Sequence, residues 1–254
     1  MNPSRHPLIA GNWKMFHGGR TSVELAAGCV AFAKGLPGVD VVVAPPFTAL
    51  AAVAETLDGS KVGLAAQNLY PKDTGAFTGE VSGPFLKECG CGWVIVGHSE
   101  RRQIFGETDA LVAEKTAAAL ANDLVPIVCV GETLAQREAG ETLRVVKAQV
   151  DAVLDILARS SVAVAIAYEP VWAIGTGKNA GPAEAEEVHA AIRSWLERKD
   201  AGLAARTRIL YGGSVKPDNA AALLGCPNVD GALVGGASLD PGSFGAIAKA
   251  SQPS

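Results

Sequence analysis

The chain predicts an α/β fold in which eight parallel strands, each followed by a helix, close into a (β/α)8 barrel. Three observations carry this expectation. Short apolar segments recur eight times along 254 residues, the stretches between them hold apolar residues at helical spacing, and polar residues or glycines stand just after most apolar segments. The apolar segments are close to continuous, as in strands covered on both faces of a parallel sheet. Strict strand–helix alternation over about 250 residues favours closure. A doubly wound open sheet is the alternative for the same pattern.

The strands are expected at residues 7–10, 39–44, 62–66, 93–97, 125–130, 162–168, 208–211 and 231–234. Thr21 with Glu24 has the spacing of a capping box and would start the first helix. Val146, Val150, Val153 and Leu157 fall on one helical face, as do Val188, Ile192, Trp195 and Leu196. Gly181-Pro182 followed by Glu184, Glu186 and Glu187 marks a helix start, with proline first and acids near the positive end of the dipole. No linker composition divides the chain, so residues 1–254 read as one barrel domain.

Composition narrows the function. Hydrophobic residues make up 48% and charged residues 19%, the balance of a folded globular chain, and the net charge of −4 argues against nucleic acid or an acidic membrane as partner. No apolar run approaches the roughly 18 residues of a membrane span. The N-terminal residues lack the apolar core of a signal peptide, so a cytoplasmic protein is expected. The odd cysteine count (Cys29, Cys89, Cys91, Cys129, Cys226) argues against structural disulfides. Cys89 and Cys91, the one close pair, have no nearby histidine, so no metal is expected.

A closed barrel delivers the loop after every strand to one face, where active residues should gather. Asn12 and Lys14 follow the first strand, Gln67 and Asn68 the third, His98 the fourth, Glu132 the fifth and Glu169 the sixth. Gly212-Gly213-Ser214 follows the seventh and Gly235-Gly236 the eighth. Glycine pairs let backbone N–H groups converge on an oxyanion, so the last two loops suit a phosphate. Glu169-Pro170 opens a ten-residue segment, bulky in the middle and small at its end, that has the outline of a base beside a closable lid. Gly175-Thr-Gly-Lys178 is not a Walker loop, because Trp172 and Asn179 stand where glycine and Ser or Thr are needed. His98 would cap the helix beginning at Ser99. Backbone N–H groups there would donate to one ring nitrogen and leave the proton on the other, disfavouring the imidazolium. Lys14 lies two residues past Asn12, on the same side of an extended chain.

Residues 10–15 (Ala-Gly-Asn-Trp-Lys-Met), 97–102 (Gly-His-Ser-Glu-Arg-Arg), 167–178 (Ala-Tyr-Glu-Pro-Val-Trp-Ala-Ile-Gly-Thr-Gly-Lys), 211–215 (Tyr-Gly-Gly-Ser-Val) and 233–239 (Leu-Val-Gly-Gly-Ala-Ser-Leu) resemble the triosephosphate isomerase family. Gln67-Asn68 and residues 75–82 (Gly-Ala-Phe-Thr-Gly-Glu-Val-Ser) extend the resemblance over nearly the whole chain. It implies a TIM barrel that interconverts dihydroxyacetone phosphate and D-glyceraldehyde 3-phosphate without a cofactor. By the resemblance Glu169 is the base, His98 the electrophile, and Asn12, Trp13 and Lys14 hold and polarise substrate. Gly175, Ser214, Gly235 and Gly236 would grip its phosphate. This family is itself the standing example of a carboxylate base paired with a neutral histidine, so the assignment is the family's own. It also implies a homodimer in which the loop carrying Phe77, Thr78 and Glu80 inserts near Met15 of a partner, with Glu80 and Arg101 able to pair.

Two other functions fit parts of the pattern. A Schiff-base aldolase needs a lysine within a barrel strand, and the sixth strand has none. A barrel that only binds, as a scaffold or adhesin, would be expected to lack one of the catalytic side chains, and all are present.

Overall fold

A computed structural model describes residues 5–174 and 180–252. Eight strands form the sheet: β1 (Leu8–Asn12), β2 (Asp40–Ala44), β3 (Gly63–Ala66), β4 (Trp93–Val96), β5 (Val125–Val130), β6 (Ala165–Tyr168), β7 (Arg208–Tyr211) and β8 (Gly231–Val234). All pair in parallel in chain order, and β8 closes on β1 with Leu8 opposite Gly231 and Gly11 opposite Val234. The barrel is closed, so the open-sheet alternative falls.

Alternate residues of each strand explain the continuous apolar runs. Leu8 and Ala10 point into the barrel with Val42, Ile95, Ile127, Cys129 and Leu210, where they form one dry cluster. Ile9 points outward with Val41, Val43, Val94, Val128 and Ile166 to meet the helices in a second, larger cluster. A strand with water on neither face has no position for a polar side chain until it ends, which places chemistry at the strand ends.

The helix Thr142–Arg159 buries Val146, Val150, Val153 and Leu157, the predicted face. The helix Pro182–Lys199 starts at the predicted Gly181-Pro182, and the Glu184 carboxylate accepts from the Gly181 N–H at 2.7 Å. Three expectations are corrected. The helix Arg20–Ala33 begins one residue before Thr21, capped by Gly19 without a side-chain bond, and the Thr21 hydroxyl donates to the Gly18 carbonyl. Both capping-box residues are thus already inside the helix. β6 starts at Ala165, because its neighbour β5 offers partners only from Ile127 onward. β1 runs two residues further than expected, to Asn12, because β2 continues to pair with it.

His189 on the helix Pro182–Lys199 is packed rather than solvated. Its ring meets Tyr168 edge-on at 5.9 Å, and its Nδ1 lies 3.3 Å from the Asn228 carbonyl. Burial pushes its pKa from 6.5 down to about 3. Below pH 6.5 the unfolded chain therefore binds a proton that the native state refuses, and stability falls as pH falls toward 3. His189→Gln is expected to flatten urea-derived stability against pH in that window by up to about 1.4 kcal/mol per pH unit. An unchanged slope would mean the ring protonates without cost.

Candidate active site

Four strand ends bring side chains to one cavity of about 640 Å³ at the C-terminal mouth of the barrel. Asn12 at the end of β1 and Lys14 just after it, His98 after β4, Glu169 after β6, and Ser214 after β7 line it, together with Gly235 and Gly236 after β8. These are the residues the strand-end argument selects, with Gln67, Asn68 and Glu132 excepted, and Gln67 instead holds the Lys14 turn. Asn68 accepts from the Lys115 ammonium at 2.7 Å, and Lys115 also pairs with Glu107. Glu132 accepts from the Tyr168 hydroxyl at 3.1 Å and the Trp172 indole N–H at 2.8 Å. Both serve the framework, and neither lines the cavity.

Glu169 is 2% exposed, and each of its carboxylate oxygens has a partner. Oε1 lies 3.0 Å from Nε2 of His98, and Oε2 accepts from the Ser99 N–H at 2.8 Å. Burial alone would raise this carboxyl. The imidazole beside it, the Ser99 N–H and the Lys14 ammonium outweigh burial and hold it below the ordinary range. The Glu169 backbone is fixed as well: its N–H donates to Val130 at 2.7 Å. A Cβ on Gly212 would stand 2.8 Å from Cγ of Glu169, and one on Gly131 would stand 1.8 Å from its carbonyl oxygen, so only glycine fits at either place.

His98 is the N-cap of the helix Ser99–Ile104, as expected, and its Nδ1 accepts from the Glu100 N–H at 3.2 Å. That assigns the ring proton to Nε2, facing Glu169. Burial, the largest single influence, pulls the imidazole pKa down, but the charge and hydrogen bond of Glu169 together with the Glu100 carboxylate turn the net direction upward. The expectation that the helix start alone sets this ring is therefore corrected: with Glu169 in contact, the carboxylates decide the direction.

Lys14 also departs from the reading of an extended chain. Its φ of 50° turns the backbone left-handed after β1. The Lys14 N–H donates to Asn12 Oδ1 at 3.0 Å, and Gln67 Nε2 donates to the Lys14 and Ala44 carbonyls, both at 2.8 Å. The turn is held from three sides and aims the ammonium at Glu100, 2.7 Å away. Asn12 and Lys14 share the cavity because of this turn, not because of strand periodicity.

Trp13 is fully buried in the core, and its side chain does not line the cavity. Gly175 lies outside the described residues. Met15 is 92% exposed, and Phe77 stacks on Tyr70 at 4.5 Å with Thr78 and Glu80 exposed beside it. Arg101 pairs within its own chain with Glu107, at 2.5 Å, and lies over the Phe105 ring. Sequence reasoning did not single out Lys216, Asp218 or Ser243, which widen the cavity beyond the glycine loops. Their signal was position alone, a few residues past a strand end.

A closed barrel with a buried carboxylate–imidazole pair at the floor of its strand-end cavity defines a (β/α)8-barrel enzyme. The family model described as triosephosphate isomerase matches residues 7–251. The chain is 55% identical to the triosephosphate isomerase of Moorella thermoacetica over 247 residues, 96% of this chain and 98% of that protein. It is 55% identical to that of Chloroflexus aurantiacus over 242 residues (94% and 97%) and 52% identical to that of Symbiobacterium thermophilum over 248 residues (97% of each). The chain belongs to the triosephosphate isomerase family.

Proposed function

We propose that the protein interconverts dihydroxyacetone phosphate and D-glyceraldehyde 3-phosphate, serving glycolysis and gluconeogenesis in the cytoplasm as one barrel domain over residues 1–254. The observation that carries the reading is the Glu169–His98 pair: a buried carboxylate whose Oε1 lies 3.0 Å from His98 Nε2, while Nδ1 accepts from the Glu100 N–H. Glu169 takes a proton from C1 of the ketose, the C–H electrons form the C1–C2 double bond, and charge moves to O2. His98 Nε2–H stabilises that oxygen and relays a proton between O1 and O2. Glu169 then returns its proton to C2, so no atom is gained or lost.

The same carboxylate that raises the His98 pKa has to turn toward the substrate carbon. When it does, burial, the Glu100 N–H and the Lys14 ammonium favour the neutral ring, and only the half-exposed Glu100 carboxylate, 3.6 Å from Nδ1, still favours the imidazolium. A neutral donor can pass its Nε2 proton to O2 as that oxygen becomes negative and take the proton of O1 in return, ending neutral again. A positioned base is worth ~10²–10⁴-fold and each fixed donor, His98 or Lys14, a further ~10²–10³-fold. Asn12 and Lys14 orient the substrate. The loops of Ser214, Gly235 and Gly236, joined by Gly175, take its phosphate through N–H groups. Every group in this chemistry is protein, so the reading uses no cofactor and no metal.

The decisive test follows the proton. With dihydroxyacetone phosphate in heavy water and a coupled assay, deuterium is expected at the carbon next to the carbonyl of recovered triose phosphate. Turnover without any exchange of label would point to direct hydride transfer and end the reading.

A further inference from the structure

Where β4 leaves the sheet, side chains take over the hydrogen bonds of the missing strand. In a parallel ladder successive residues turn their N–H and C=O groups toward opposite neighbours. The Val130 carbonyl faces β6 and accepts from Glu169, so residues 129 and 131 face β4. The last residue of β4, Val96, pairs with Val128, and the chain then turns away into His98. The Cys129 carbonyl receives the Arg102 guanidinium at 3.2 Å in its place. Gly131 receives Gln149, from the helix Thr142–Arg159. Gln149 Oε1 accepts from the Gly131 N–H at 2.7 Å, and its Nε2 donates to the Gly131 carbonyl at 3.1 Å. One primary amide supplies both the acceptor and the donor of an absent strand.

Gly131 is in turn the backbone against which Glu169 rests, close enough that no Cβ fits between them. Beside it lies a polar cavity of about 370 Å³ lined by Gly131, Gln149, Ser99 and Glu169. The side of Gly131 that Gln149 grips therefore has space into which the loop can retreat. We propose that Gln149 is a positioning residue for the isomerisation, a substitute strand that pins Gly131 and through it sets the place of the Glu169 carboxylate. The inference rests on Glu169 being the base.

The test compares Gln149→Met, which keeps length and volume, and Gln149→Ala with the parent enzyme. A base displaced by a fraction of an ångström is expected to lower kcat about 10- to 100-fold while KM for the triose phosphate and competitive inhibition by inorganic phosphate stay within about twofold. A purely structural role would lower the melting temperature and leave kcat of the folded enzyme unchanged. That result, or a loss confined to KM, overturns the inference. If Gln149→Ala fails to fold, Gln149→Met alone carries the comparison. A Glu169→Gln variant assayed alongside separates the two readings: if it is active, the base assignment fails, whereas an inactive Glu169→Gln beside a fully active Gln149→Met defeats only the role of Gln149.

Discussion

Glu169→Gln is expected to lower kcat by about 10⁴-fold, the upper end of what a general base contributes, with affinity for inorganic phosphate within several-fold of the parent. The amide nearly matches the carboxylate in shape but not in hydrogen bonding. Oε1 and Oε2 of Glu169 face two donors, His98 Nε2 and the Ser99 N–H. Glutamine has one acceptor and one donor, so one of these contacts becomes donor against donor unless the imidazole proton moves to Nδ1, where the Glu100 N–H already points. The pKa of His98 adds a second readout. The wild-type ring is raised above 6.5 because Glu169, with a smaller part from Glu100, offsets burial. Without that charge burial prevails, so the His98 titration followed by NMR is expected to move to lower pH in the variant. Retention of most of the turnover would show that Glu169 is not the base.

Activity is expected to disappear when the enzyme is diluted until sedimentation shows only single chains, because we propose that it works as an obligate homodimer. Met15 is 92% exposed, Phe16 69% and Phe105 65%, and Phe77 and Phe85 are also open to solvent. Large apolar side chains left exposed in this way suit surfaces that meet a partner. In the proposed dimer, the loop with Phe77, Thr78 and Glu80 would enter the partner near Met15. Arg101 pairs with Glu107 through its Nε alone, which leaves the far N–H groups of its guanidinium for Glu80 of a partner in the proposed dimer. Full specific activity of the single chains would refute the proposal.

Much of this was legible because strands buried on both faces leave a plain trace. The runs that gave β5, β7 and β8 match the observed strands, since no polar residue is tolerated between their ends. His98 and Glu169 were legible for the same reason: each is the first ionisable group after an apolar strand. What escaped depended on contacts between distant segments. Nothing local tells that Val162 lies outside β6, because β5 supplies the partners that decide it. The turn at Lys14 is fixed by Gln67, 53 residues away. The grip of Gln149 on Gly131 spans 18 residues and has no motif, as a half-buried glutamine on a helix resembles any other. The direction of the His98 shift needed the 3.0 Å contact with Glu169, which no spacing reveals.

The left-handed turn at Lys14 sends one side chain down to Glu100 and leaves the next, Met15, almost wholly in solvent. Under the proposed function and dimer, consecutive codons would thus govern the charge that meets the ligand and the apolar group offered to a neighbour. Drift at either site disturbs the other, so selection cannot adjust assembly and chemistry separately at this corner. An engineer seeking a working single-chain form would have to rebuild the entire bend, keeping its handedness while giving residue 15 a soluble side chain.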